Sequence, residues 1–163
     1  MKYLIASDIH GNEAFINYLY QLVDIEKPDK IILLGDLVSL SDASNKMIDF
    51  LKIYKDILVA IRGNMDFPIT DGLLNFYQEV INGKTFIFTH GHLVDPNTFP
   101  CDVFVQGHTH INAIENGKPI YFNPGSLSLP RGNTINSYGL ITDDELIVKD
   151  TDGNIIKRLT YRW

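Results

Sequence analysis

Five short islands of metal-binding side chains constrain what this chain can fold into. They read Asp8-Ile9-His10-Gly11-Asn12, Gly35-Asp36, Gly63-Asn64-Met65-Asp66, Thr89-His90-Gly91-His92 and Gly107-His108-Thr109-His110. All 5 histidines of the chain fall inside them. Histidines that served only packing would scatter. These sit beside glycines at the ends of apolar runs, where a strand hands a side chain to a loop. Any fold for this sequence must bring those strand ends together. The pattern implies a site that binds two metal ions and does chemistry on phosphate.

The first half reads as an alternation of strands and helices. Tyr3 to Ser7 is a short apolar strand that ends at Asp8. Asn12 can cap a helix running to about Glu26, with Phe15, Tyr18, Leu19, Leu22 and Val23 on one face and Pro28 as its stop. Ile31 to Leu34 is a buried strand ending at Gly35-Asp36. A second helix follows near Asp42 to Tyr54, with Met47, Phe50, Leu51 and Tyr54 at helical spacing. Ile57 to Ile61 is a third strand, ending at Gly63-Asn64. This order predicts parallel pairing with right-handed crossovers.

The second half changes to strands. Asn82-Gly83, Asn116-Gly117 and Asp152-Gly153 sit between apolar runs and suit type I′ hairpin turns, which need positive φ. Phe86 to Thr89, Val103 to Gln106, Pro119 to Phe122, Tyr138 to Ile141, Leu146 to Lys149 and Ile155 to Tyr161 read as strands. The expected fold class is α/β. Two stacked sheets with outer helices would bring all five islands to one edge.

A length of 163 residues fits one domain, 1–163. A chain of that size buries roughly two thirds of its unfolded surface, enough for a core without disulfide or structural metal. Cys101 is the single cysteine, which fits a reducing compartment. The apolar stretch before Asp8 is too short for a signal-peptide core, and no run reaches transmembrane length. The expectation is a soluble, cytoplasmic protein with no membrane association. Net charge is −6, with lysine and arginine dispersed. Long nucleic acid is held chiefly by phosphate neutralisation, so the missing basic stripe argues against it and for a small phosphate-ester substrate.

Carboxylates and imidazoles together suit Mn, Fe, Co, Ni or Zn. Calcium prefers an all-oxygen shell, and the absence of thiolates excludes a structural zinc finger. Asp8 and His10 are two apart, so both can point the same way at a strand end, and the same holds for His108 and His110. Two metals need a bridge. Asp36 is the natural choice, since one carboxylate can give an oxygen to each ion, and Asn64 would be a neutral oxygen ligand.

These blocks resemble the calcineurin-like metallophosphoesterases, whose pattern runs D-x-H, G-D, G-N-x-[DE], a hydrophobic-x-x-H and G-H-x-H. All five stand in order here, with Ile87-Phe88-Thr89-His90 as the fourth. Asn123-Pro124-Gly125-Ser126 is similar to the N-P-G-S loop of the small YfcE-like phosphodiesterase branch. The resemblance implies a four-layer α-β-β-α sandwich, two stacked mixed sheets flanked by helices. It implies Asp8, His10, Asp36 and His110 at one metal and Asp36, Asn64, His90 and His108 at the other. It further implies two divalent ions, with manganese the expected choice over Fe, Zn, Ni or Co. Metal would lower a water pKa from about 15.7 to roughly 7, giving a bridging hydroxide that attacks phosphorus in line. Asp36 and His92 are the expected catalytic residues, and Asn12, Asn64, His92 and Arg131 the expected substrate contacts. Family members that cleave monoesters often carry a histidine after the motif asparagine. Met65 stands there instead and holds no proton, which points to diesters or acidic leaving groups.

Several residues keep two readings. His92 is a substitute acid and substrate contact, or only a hydrogen-bond partner near the site. Asn12 is a helix cap, with a phosphate contact as the second reading. Asp66 orients a neighbouring ligand. Arg62 and Arg131 grip a phosphate or lie solvated. Ser126 belongs to a turn beside the site or touches substrate. Cys101 lacks the surroundings of a nucleophile. The alternatives to a phosphodiesterase are a phosphomonoesterase or nucleotide pyrophosphohydrolase, and a metal-bound interaction scaffold such as the retromer subunit of this family. The aromatic end Tyr161-Arg162-Trp163 would pack on a partner copy, making a homo-oligomer, or on its own sheet.

Overall fold

The computed structural model describes residues 1–39, 45–67, 69 and 71–161. Its first half is the expected alternation: β1 (Lys2–Ala6), α1 (Glu13–Glu26), β2 (Lys30–Leu33), α2 (Asn45–Ile53) and β3 (Leu58–Ala60). β1 pairs with β2, and β2 with β3, all parallel. Asn12 caps α1, its Oδ1 accepting from the amides of Ala14 (3.1 Å) and Phe15 (3.4 Å). The helix ends at Lys27, whose left-handed backbone lets its N–H reach the carbonyl of Val23. The predicted start of the second helix at Asp42 lies outside the described residues, as do Arg162 and Trp163.

The second half supplies β4 (Phe76–Ile81), β5 (Lys84–Thr89), β6 (Val103–Gln106), β7 (Ala113–Glu115), β8 (Ile120–Asn123), β9 (Ser137–Thr142), β10 (Glu145–Asp150) and β11 (Ile155–Thr160). β4 and β7 are additions to the strands read from sequence. One sheet has the order β11-β10-β9-β1-β2-β3 and the other β4-β5-β6-β8-β7. Both mix parallel and antiparallel pairs.

Of the three turns expected to be type I′, one has the backbone for it. Asn82 (φ 49°) and Gly83 (φ 78°) join Ile81 to its partner Lys84. The other two are corrected. Neither Asn116 nor Gly117 has positive φ, and Pro119 has no N–H for the ladder, so β8 opens only at Ile120. At Asp152-Gly153 only the glycine is left-handed. There Asp150 Oδ1 closes a longer loop by accepting from the amides of Asp152 (3.0 Å) and Asn154 (2.8 Å).

Alternation along the strands makes the layers. Tyr3, Ile5, Ile32 and Leu34 face inward onto Phe86, Phe88, Val103, Val105 and Phe122 of the second sheet. Leu4, Ala6, Ile31 and Leu33 face outward under Ile16, Leu19 and Leu22 of α1 and Met47 and Phe50 of α2. The fourth layer is thin. Ile87 and Phe104 on the outer face of the second sheet pack with Val94, Phe99 and Cys101 from the segment after His90, rather than with a helix. Tyr161 packs edge-on against Phe86 of its own chain and is buried. Among the described residues, no helix is long and apolar enough to cross a membrane.

Candidate metal centre

The parallel strands all deliver their C-terminal ends to one edge, and the five islands are the loops that leave them. β1 runs into Asp8, β2 into Asp36, β3 toward Asn64, β5 into His90 and β6 into His108. The first two loops are laced together. The amide of Asp8 donates to the carbonyl of Gly35 (3.0 Å), and those of Ile9 and His10 both donate to the carbonyl of Asp36 (2.9 Å).

The loops that carry these residues have unusual backbone. Asp8 (φ 55°), His10 (51°), Asp36 (51°), His108 (68°) and His110 (62°) all adopt the left-handed conformation. A side chain in that region typically costs on the order of 1–3 kcal/mol, which the surrounding structure must offset. The strain is concentrated in residues expected to be ligands.

The side chains then converge. Asp8, His10, Asp36 and His110 each place one donor atom within 4.8 Å of the others, and so do Asp36, His90 and His108. Asp36 belongs to both sets. In the first, the Nε2 atoms of His10 and His110 approach to 3.3 Å, and Asp8 Oδ1 lies 3.2 Å from His110 Nε2. In the second, His90 Nε2 lies 3.0 Å from Asn64 Oδ1, 3.1 Å from His108 Nδ1 and 3.4 Å from Asp36 Oδ2.

The far side of each ring identifies its lone pair. His90 Nδ1 lies 2.7 Å from the carbonyl of Leu34, and His110 Nδ1 lies 2.6 Å from that of Leu129. A carbonyl only accepts, so each Nδ1 carries the hydrogen, and in the neutral ring Nε2 turns a lone pair inward. Asp8 Oδ1 is buried and has no hydrogen-bond partner among the described residues. Lone pairs and carboxylate oxygens gathered this closely repel one another unless protons or cations sit between them. The donor set therefore fits divalent metal.

The carboxylates and burial shift how these groups titrate. The Asp8 carboxylate raises the pKa of His110. Burial works to lower that of His90, but Asp36 and Asp8 outweigh it and leave it raised. Burial likewise works to raise Asp36, yet the hydrogen bond and charge of His90 bring it below the ordinary carboxylate value. His10 has no such excess and is lowered, chiefly by burial.

A second ring of residues holds these groups in position. Ser7 Oγ (2.6 Å) and the amide of His108 (3.0 Å) donate to Asp8 Oδ2, leaving Oδ1 for the centre. Ser126 Oγ donates to the carbonyl of Asp8 at 2.7 Å, and Ser128 Oγ to that of Ile9 at 2.8 Å. Asn123 Nδ2 donates to the carbonyl of Gly107 (3.1 Å) and to Thr109 Oγ1 (3.0 Å). So Ser126, of the two roles open to it, is buried and tethers a candidate ligand. Asp66 is buried and accepts from the amides of Leu37 (2.7 Å), Val38 (3.2 Å) and Gly63 (2.8 Å), binding the Asp36 loop to the Asn64 loop. Those two loops touch so closely that a Cβ on Gly63 would stand 2.1 Å from the amide nitrogen of Asp36. Only a hydrogen fits there. Gly107 is in the same position against Ser7 Oγ, also at 2.1 Å.

The expected substrate contacts lie around this centre. His92 is exposed, its ring 5.4 Å from that of His90. Burial and the neighbouring His90 and His108 lower its pKa. Met65 turns its amide to Asp36, donating to Oδ1 at 2.9 Å. Arg131 is exposed, with its amide bonded to the carbonyl of His110. Asn12 spends its side-chain oxygen on the helix cap. Cys101 packs among the apolar residues of the outer face, where burial raises its thiol. The Ser7, Asn123, Ser126 and Ser128 contacts escaped the reading of the sequence, although Asn123-Pro124-Gly125-Ser126 was the signal for two of them.

Comparison with known proteins agrees with this geometry. Residues 1–145 match the family model described as the calcineurin-like phosphoesterase superfamily domain. The chain is 33% identical to the phosphodiesterase YfcE of Escherichia coli over 98% of its length and 97% of the relative's. It is 30% identical to the probable metallophosphoesterase YsnB of Bacillus subtilis, over 99% and 98%. The solved structure of YfcE, a phosphoesterase from E. coli, superposes with a TM-score of 0.84 at 31% identity, covering 99% of this chain and all of that one. Zinc-bound Vps29 from Entamoeba histolytica shares the fold, with a TM-score of 0.70 at 22% identity and coverage of 99% and 100%. By family model, sequence and fold together, the chain belongs to the calcineurin-like phosphoesterase superfamily, as a hydrolase acting on phosphoric ester bonds.

Proposed function

We propose that this protein is a dinuclear-metal phosphodiesterase that hydrolyses a small organic phosphate ester. The observation that carries the reading is the membership of Asp36 in both donor sets. Asp8, His10 and His110 would complete one site with Asp36, and Asn64, His90 and His108 the other. Two bound divalent ions, with Mn²⁺ our choice, would supply a water of lowered pKa and positive charge for the phosphoryl oxygens.

The residues of the chain do the rest. Asp36 holds the two sites at a fixed separation, itself pinned by the amide of Met65. Leu34 and Leu129 fix the tautomers of His90 and His110 through their carbonyls. Asn64 adds an oxygen without adding negative charge, which keeps the centre attractive to an anion. His92 stands beside the second site and would donate a hydrogen bond to the ester. Arg131 would meet the substrate's phosphate from the opposite loop. Asn12 keeps an outer contact of this kind at the helix N-terminus as a secondary role.

Diester preference rests on Met65, which brings no proton to a poor leaving group, and on the phosphodiesterase relative. The test is hydrolysis of bis(4-nitrophenyl) phosphate and 4-nitrophenyl phosphate by metal-stripped protein titrated with Mn²⁺. Diester cleavage that appears with metal and exceeds monoester cleavage is the expected result. Dominant monoester cleavage would overturn the substrate class. Two bound ions with no turnover of either ester would replace the enzyme with a binding scaffold.

A further inference from the structure

Beside the second donor set the surface opens into a cavity of about 240 Å³, lined by Arg62, Asn64, Phe67, His92 and Leu93 among others. Phe67 is 72% exposed and Leu93 57% exposed. An aromatic and an aliphatic side chain left this open are not serving the core, and two of them flanking one opening mark a binding surface. They also come from different islands. Phe67 follows Asn64 and Asp66, whereas Leu93 follows His90 and His92. Asn64 and His92 line the cavity too, so it shares a wall with the place where a phosphate would sit.

We infer that this cavity receives an aromatic ring of the ester, gripped between Phe67 and Leu93, and sets the substrate class. The inference rests on the reading of the metal centre given above. A phosphodiester carries organic groups that the polar donors cannot satisfy. The apolar walls next to Asn64 and His92 give one of them a dry seat. The volume lies below the roughly 300–1,000 Å³ typical of pockets for drug-sized ligands. It suits one ring-sized substituent rather than a polymer. Arg62 adds a positive charge to the same wall, and its buried Nε has no hydrogen-bond partner among the described residues. That charge favours an ester whose ring stands close to its phosphate.

The test uses phenylphosphonate and methylphosphonate, whose P–C bonds resist hydrolysis, titrated calorimetrically into the Mn²⁺-loaded protein. Burying a ring predicts that phenylphosphonate binds at least about tenfold tighter than methylphosphonate. Phe67→Ala and Leu93→Ala should each reduce that ratio by about threefold or more, with methylphosphonate affinity unchanged. Both positions are exposed, so neither change removes core packing. Equal binding of the two compounds overturns the cavity's role, as does a phenyl preference that survives both substitutions. Binding of neither, by protein that does take up Mn²⁺, overturns the phosphate site itself and this inference with it.

Discussion

Ser126 Oγ donates a hydrogen bond of 2.7 Å to the carbonyl of Asp8, which lies 118 residues earlier in the chain. The same oxygen accepts from the amide of Leu129 at 2.8 Å. The hydroxyl thus spans from the first candidate ligand to the loop whose carbonyl orients His110. Ser126→Ala should leave the fold intact and weaken Mn²⁺ binding by about tenfold, the scale expected for partners that orient ligands. Isothermal titration of the two proteins checks this. Unchanged affinity would reduce Ser126 to a packing residue.

Asp36→Asn keeps the size of the side chain and removes its charge. One neutral amide cannot serve two cations as a carboxylate does. We expect no measurable phosphodiesterase activity and at most one Mn²⁺ per chain, counted by elemental analysis after desalting. Full activity with two ions bound would move the bridge elsewhere.

Metal uptake should release protons. His90 and His110 both titrate above the ordinary histidine value of 6.5 in the metal-free protein, for the carboxylate reasons given above. Their protonated forms cannot ligate. Mn²⁺ affinity should therefore fall as pH is lowered, beginning above pH 6.5. Binding enthalpy should also depend on the ionisation enthalpy of the buffer. An enthalpy that ignores the buffer would mean that both imidazoles are already neutral.

Far from the centre, Glu26 gives a stability test. Its carboxylate is buried and accepts from Tyr138 Oη (2.8 Å) and Lys149 Nζ (2.7 Å). Burial works to raise its pKa, but Lys149 and Tyr138 outweigh it, so the folded value lies below the usual 4.5. A depressed carboxylate stabilises the fold above its unfolded pKa, and the contribution is lost as pH falls through the folded value. Glu26→Gln should lower stability at neutral pH by about 1–3 kcal/mol. The gap between the two proteins should narrow below pH 4.5, as followed by urea denaturation.

The candidate ligands were legible because their chemistry is rare and local. Aspartate and histidine beside glycine at a strand end announce themselves without knowledge of the fold. The parallel half was legible for a similar reason, since buried strands such as Ile31 to Leu33 are apolar throughout. What escaped depends on neighbours distant in sequence. A serine hydroxyl bonds wherever a carbonyl is offered, so nothing at Ser126 or Ser128 announces Asp8. β4 mixes Gln78 and Glu79 with Tyr77 and Val80, since its exposed and half-buried residues alternate, and its sequence lacks a clean apolar run. The turn at Asn116-Gly117 was decided by Pro119, three residues on. The covering of the second sheet's outer face by an irregular segment follows from Val94 and Phe99, two apolar residues without helical neighbours.

The left-handed backbone at Asp8, His10, Asp36, His108 and His110 has an evolutionary consequence. Glycine is most at ease there, while aspartate and histidine enter it more readily than other side chains but still at some cost. Each of these positions would therefore relieve strain by mutating to glycine, and each such change would remove a donor from the centre. The chain is thus poised against its own optimum: drift toward stability alone would empty the site one residue at a time and leave the same sandwich as an inert scaffold.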